Sequence, residues 1–139
     1  MIEVKERPKA RSDSTNSPLR RIGVIGAGQM GSGIAHVTAL AGFDVKLNDI
    51  SPDRLKAGMA TINGNMARQV SRKRISEEER QAALKRITPA ESYDAFDDCD
   101  LVIEAATEKE EVKRTIFAQL CPTLKSDAIV GSNTCGALM

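Results

Sequence analysis

Gly26-Ala27-Gly28-Gln29-Met30-Gly31 places three glycines where a main chain has to come close to something. A glycine in the first position permits a tight turn, one in the second lets a diphosphate approach the backbone, and one in the third allows a helix to lie close on a strand. A helix opened by such a turn points unpaired N–H groups and its positive dipole end at the anion. Asp49 follows Gly26 by about 23 positions and closes the run Asp44-Val45-Lys46-Leu47-Asn48. A carboxylate there accepts hydrogen bonds from the ribose hydroxyls of a dinucleotide and repels a 2′-phosphate, which favours NAD over NADP. The glycines alone are weak evidence. Their weight comes from context, since a strand precedes them, a helix follows, and an acid ends the next strand. FAD uses the same fingerprint, and the glycines do not exclude it.

The elements that would hold these residues alternate. Residues 21–26 form a short β-branched run ending in glycine. Met30, Ile34, Val37 and Ala41 then recur at helical spacing and predict a helix with that apolar face, stopped at Gly42. Residues 44–49 read as a second strand. Ser51 and Pro52 predict the cap and first position of a helix of about 20 residues, with Leu55, Met59, Ile62, Met66 and Val70 as its apolar face. Ser76 and Glu79 form a capping box that opens a shorter helix through Arg86. Two helices in succession predict an antiparallel hairpin projecting from the sheet, followed by a strand near Ile87. Residues 100–106 form a near-continuous apolar strand, Val112, Ile116, Phe117 and Leu120 mark the next helix, and residues 128–133 make the last strand. The expected fold is α/β, a Rossmann-type doubly wound parallel sheet of order 3-2-1-4-5, with the helical hairpin inserted between strands 2 and 3.

Composition narrows the function further. At 139 residues the chain has room for one domain, with residues 1–20 expected as a disordered lead-in and 21–139 as the dinucleotide-binding unit. A formal net charge of +1 and 3% aromatic residues give no basis for nucleic-acid binding. No run approaches the length that spans a bilayer. Cys99, Cys121 and Cys135 are odd in number and form no C-x-x-C pair, so a reducing, cytoplasmic setting is expected and no metal site.

With these residues in place, the sequence resembles the N-terminal domain of the 3-hydroxyacyl-CoA dehydrogenases, most of all the 3-hydroxybutyryl-CoA dehydrogenase branch. The likeness covers residues 20–134 and rests on V-I-G-A-G-Q-M-G-S-G-I-A-H-V, on D-L-V-I-E-A-A-T-E-K-E-E-V-K-R-T-I-F, on S-N-T at 132–134, and on the hairpin after strand 2. The resemblance implies NAD-dependent interconversion of 3-hydroxyacyl-CoA and 3-oxoacyl-CoA in fatty acid or butanoate metabolism. It places Gly26, Ala27, Gly28, Gln29, Met30 and Gly31 at the cofactor diphosphate and Asp49 at the adenosine ribose. Ala105, Glu108, Lys113 and Asn133 fall at its other cofactor positions. On residue type alone, Glu108 and Lys113 read as a solvated helix start. Arg72, Lys73 and Arg74, a basic cluster at the hairpin tip, suit the phosphates of coenzyme A, or equally a solvated turn.

The resemblance also implies parts that this chain does not supply. The family's general base is a histidine oriented by a glutamate, both beyond the S-N-T segment. A C-terminal helical domain that builds the dimer and covers the acyl chain also follows it. The single histidine, His36, falls off the apolar face of the first helix and is not expected to be catalytic. Cys135 takes the place of the family's substrate-contacting serine, where a thiol is the weaker donor. No catalytic residue is therefore expected within the chain, which is read as cut before its chemistry and inactive alone. A dehydrogenase of carnitine or gulonate, or a non-catalytic NAD-binding module, is the alternative.

Overall fold

The computed structural model describes residues 19–132. Five parallel strands form one sheet: β1 Arg21–Ile25, β2 Asp44–Asn48, β3 Ile87–Ala90, β4 Leu101–Glu104 and β5 Ile129–Ser132, in spatial order β3-β2-β1-β4-β5. The expected order is the observed one. It reverses at β1, so the crevice outside the carboxyl ends of β1, β2 and β4 is the switch point where such sheets take ligands. Pro89 sits within β3, which it can do because β3 is an edge strand and a missing N–H there breaks no central ladder.

Period-two alternation divides the core between the two faces of the sheet. Ile22, Val24, Val45 and Leu47 pack on one face with Ala35 and Ala39 of α1 (Gln29–Leu40), and with Leu55, Ile62 and Met66 of α2 (Pro52–Ser71). On the other face Ile25, Cys99 and Val102 meet Ile116 and Leu120 of α4 (Glu110–Leu120), with Phe96 from a 3-10 turn at Tyr93–Phe96. Burying a side chain such as Leu47 or Phe96 completely contributes roughly 1.5–3 kcal/mol.

Ser51 and Ser76 cap α2 and α3 (Glu77–Arg86) as the sequence predicts, each side chain accepting an N–H three residues on, and the Ser76–Glu79 box closes in both directions. The hairpin does not stand clear of the domain, however. α3 packs on α1 as well as on α2, with Ala83 fully buried in the main core and the Arg86 guanidinium donating to the Ala39 carbonyl at 2.7 Å.

Two helix faces differ from the sequence expectation. Met30 and Val37 are 57% and 65% exposed, while Gly31, Ser32, Ala35 and Ala39 form the buried face of α1. The helix approaches β1 so closely that only small residues fit directly beneath it; Met30 and Val37 are turned outward, while Ile34 and Leu40 pack half-buried at the flanks of the core. In α4, Val112 is exposed and Lys113, Ile116 and Leu120 are buried. Arg20, expected in the lead-in, is already tied to the sheet: its N–H donates to Asp100 and its carbonyl accepts from Asp44.

Candidate functional site

The glycine turn joins β1 to α1. Gly26 has φ of +107°, and a Cβ there would lie 2.8 Å from Ala106 Cα and 2.9 Å from the Ala105 carbonyl group, so both the turn and the close approach of the β4–α4 loop require glycine. At Gly31 a Cβ would fall 1.6 Å from the Gly26 carbonyl oxygen. Gly31 thus holds helix against strand. Gly28 is exposed, and a Cβ added there would meet nothing within 4 Å. It is also the N-cap of α1, with no side-chain cap and no acidic residue in the first turn. The α1 N-terminus therefore keeps its donors and its dipole for an outside anion.

Asp49 anchors this turn from the neighbouring strand. Its Oδ2 accepts the Ala27 N–H at 2.8 Å, and its Oδ1 accepts the Ser51 N–H at 2.8 Å and Arg54 Nε at 3.3 Å. Gly26 N–H donates to the Asn48 carbonyl at 2.7 Å, and Ala105 N–H to the Ile25 carbonyl at 2.8 Å. The main chain around the turn is pinned from both sides.

A crevice of about 540 Å³ opens above it, bounded by Gly26 and Gly28, by Asp49, Ile50 and Arg54, and by the loop Ala105–Thr107. A second hollow of about 780 Å³ adjoins it beyond Asp49, floored by Leu55, Met59 and Pro89, and Tyr93 borders both. Burial, with the Asp49 and Glu104 carboxylates nearby, pushes the Tyr93 phenol above its usual range and keeps it protonated.

Behind the crevice wall lies a buried charge pair. Glu104, at the end of β4, is 0% exposed and Lys113 is 1% exposed. Glu104 Oε1 accepts from Lys113 Nζ at 2.6 Å and from the Ser132 hydroxyl at 3.0 Å, while Oε2 accepts the N–H groups of Ala106 at 2.7 Å and Thr107 at 3.0 Å. Lys113 Nζ also donates to Ser132 Oγ at 2.9 Å. Burial pushes the Glu104 carboxyl up, but these donors outweigh it and hold it below the ordinary carboxylate range.

The structure thus brings Gly26, Gly28, Asp49 and Ala105 around one crevice, with Ala27 bonded to Asp49 beneath it. Gln29 and Met30 border a separate shallow groove along the outer face of α1, with Gly33, Ile34, Val37 and Thr38. Glu108 is exposed in the loop before α4. Lys113 belongs to no solvated helix start, because its amine is buried against Glu104. Arg72, Lys73 and Arg74 are exposed at the hairpin tip, and Lys73 takes a left-handed backbone with φ of 60°. Asn133 and Cys135 lie outside the described residues. His36 Nε2 is 2.8 Å from Gln69 Oε1, pairing α1 with α2. Among the described residues no cluster of metal-ligating side chains occurs, and no helix is long and apolar enough to cross a membrane.

Motif and spacing pass over Glu104, although the sequence carries a signal for it. A lone carboxylate in Leu101-Val102-Ile103-Glu104-Ala105-Ala106 has to be exposed at a strand end or matched by a buried cation, and Lys113 follows nine positions later.

Residues 21–139 match the family model described as 3-hydroxyacyl-CoA dehydrogenase, NAD binding domain. A 3-hydroxybutyryl-CoA dehydrogenase of Bradyrhizobium diazoefficiens is 67% identical over 116 residues, which is 84% of this chain and 40% of that protein. A fatty acid oxidation complex subunit alpha of Colwellia psychrerythraea is 35% identical over 131 residues, 94% of this chain and 18% of its own length. The crystal structure of (S)-3-hydroxybutyryl-CoA dehydrogenase from Ralstonia eutropha superposes with a TM-score of 0.81 at 37% identity, covering 84% of this chain and 41% of that one. The chain spans less than half the length of each.

Proposed function

Since this chain belongs to the 3-hydroxyacyl-CoA dehydrogenases through their NAD-binding domain, we propose that it forms the cofactor half of an enzyme interconverting 3-hydroxyacyl-CoA and 3-oxoacyl-CoA. The observation that carries the cofactor part is the uncapped α1 N-terminus beneath open space at Gly28, bordered by Asp49. The residues fit NAD. Main-chain N–H groups at the start of α1 take the diphosphate, Asp49 takes the adenosine ribose, and the Ala105–Thr107 loop walls the far side. NAD, when bound, supplies the hydride acceptor. This chain's residues bind and orient it and exclude water along one wall.

The acyl-CoA substrate is supported by the 67% identical relative, a 3-hydroxybutyryl-CoA dehydrogenase by name, and this favours it over carnitine or gulonate. Exposed Arg72, Lys73 and Arg74 are of the right charge for its phosphates. Proton abstraction is assigned outside residues 19–132, because His36 is engaged with Gln69 and borders no part of the crevice. Glu108 and Asn133 are proposed to meet the cofactor beyond the diphosphate, on the family likeness alone. Dimerisation of the whole enzyme, and a reducing cytoplasmic setting consistent with the free thiols of Cys99 and Cys121, complete the reading.

Calorimetric titration of the 139-residue chain with NADH and NADPH tests it. Saturable NADH binding, weaker NADPH binding and no turnover of acetoacetyl-CoA are expected. Equal affinity for the two nucleotides, or none for either, would overturn the cofactor assignment.

A further inference from the structure

The buried Glu104 carboxylate is more than one half of an ion pair. Its two oxygens accept from four donors on three different segments: the ammonium of Lys113 in α4, the hydroxyl of Ser132 at the end of β5, and the main-chain N–H groups of Ala106 and Thr107 in the loop between β4 and α4. Ala106 and Thr107 border the crevice, and Ala105–Ala106 press against the α-carbon of Gly26 closely enough to forbid a Cβ there. That side chain therefore braces the loop above the glycine turn, beside the Ala105 N–H bond to the Ile25 carbonyl, and ties it to Ser132, which the β4–β5 ladder sets opposite Glu104.

We propose that Glu104 is a positioning residue for the dinucleotide, holding the crevice wall Ala105–Thr107 and the β5 tip in register through bonds that Lys113 and Ser132 complete. The inference rests on the cofactor reading above and assigns a task to a residue that touches neither cofactor nor substrate. A buried ion pair is weak evidence for stability as such, since apolar residues of similar volume often replace one without loss. The two N–H groups at its other oxygen are different, because they set where the loop lies.

The test separates these two roles. Both E104Q/K113M and E104L/K113M remove the charges together and leave no unmatched ion. Only the glutamine variant keeps an oxygen for Ala106 and Thr107. Both variants lack the Lys113 amine, so any direct contact of that amine with nucleotide cancels between them. Amide hydrogen exchange at Ala106 and Thr107 is read alongside NADH affinity and thermal melting. With both variants folded, the glutamine variant should keep the two amides protected, and the leucine variant should lose that protection and bind NADH about tenfold more weakly than its glutamine counterpart. Equal protection in the two, or equal affinity where both bind, would overturn the proposal. If the leucine variant fails to fold, the unaltered chain decides. Ala106 and Thr107 should exchange much more slowly than neighbouring Glu108, and comparable rates would overturn it. Failure of the unaltered chain to bind NADH would remove the cofactor reading, while the amide comparison still reports on Glu104 by itself.

Discussion

On the proposed reading, replacing Asp49 should strike the glycine turn and the cofactor preference at once. The carboxylate accepts Ala27 N–H and Ser51 N–H, each at 2.8 Å, and draws in Arg54 Nε at 3.3 Å. A hydrogen bond to a charged acceptor contributes about 1.5–3 kcal/mol when its loss leaves the donor without water. Asp49 borders an open crevice, so water replaces part of each bond, and Asp49→Ala should cost about 2 kcal/mol in total. For a domain of this size that is a fall in Tm of roughly 5–12 °C. Asp49→Asn keeps one oxygen but turns an NH2 toward the other donor, so it should recover only about half of the loss. In nucleotide binding, the alanine variant gives up the ribose contact and loosens the Ala27 main chain, which should weaken NADH about tenfold or more. NADPH suffers less, because the repelling carboxylate is gone and Arg54 is released toward a 2′-phosphate. Paired calorimetric titrations with NADH and NADPH, alongside thermal melts, measure both effects. An unchanged NADH-to-NADPH ratio would refute the assignment of Asp49 to the ribose. An unchanged Tm would refute its role in holding the turn.

Gly31→Ala should be among the most damaging single substitutions, costing on the order of 3 kcal/mol or more, because its Cβ would fall 1.6 Å from a main-chain oxygen that cannot rotate away; near-parental denaturant unfolding would contradict this. Asp100 gives an acid-side dependence. Burial pushes its carboxyl up, but Lys125 and the N–H groups of Arg21 and Arg20 prevail and hold it at about 2, below the ordinary 3.8. A depressed folded-state pKa stabilises above the unfolded value and is lost as pH falls, so stability from this group should be full above about pH 4 and disappear toward pH 2. Asp100→Asn should flatten that part of a pH–stability curve, and an unaltered curve would rule the group out. The Cys99 thiol is pushed up to about 11 by burial, with Lys46 opposing and three aspartates adding, whereas Cys121 is exposed. Under native conditions a maleimide should modify Cys121 long before Cys99, as read by peptide mass; equal rates would mean the Phe96 side of the core opens freely.

The α2 and α3 caps and the glycine turn are legible in the sequence because each depends on local chemistry, and the strand order because right-handed crossovers leave few topologies for alternating strands and helices. A Ser-x-x-Glu box or a G-x-G-x-x-G turn carries its own hydrogen-bonding logic wherever it falls. The faces of α1 and α4 could not be read in the same way. Periodicity weights large apolar residues, and so it selects Met30, Ile34 and Val37, but the closeness of α1 to β1 puts Gly31, Ala35 and Ala39 directly beneath it and leaves Ile34 half-buried at the flank. That closeness is a tertiary fact. Likewise Lys113 reads as a surface charge until Glu104 is known to end β4 facing inward, and neither residue alone reveals the pair. The hairpin is legible in the sequence, but the docking of α3 on α1 depends on Ala83, which is too small to stand out in a pattern of apolar residues.

The main-chain contact between Gly31 and Gly26 bears on the entropy of association. Where side chains mediate the seating of a helix on a strand, rotamers leave slack, and an arriving ligand must freeze it. Here backbone rests on backbone, which leaves the first turn of α1 little slack relative to β1. On the proposed cofactor reading, the donors offered to a diphosphate are aligned before it arrives. Their ordering is a cost of folding the chain, so little of the binding free energy is diverted to immobilising the receptor.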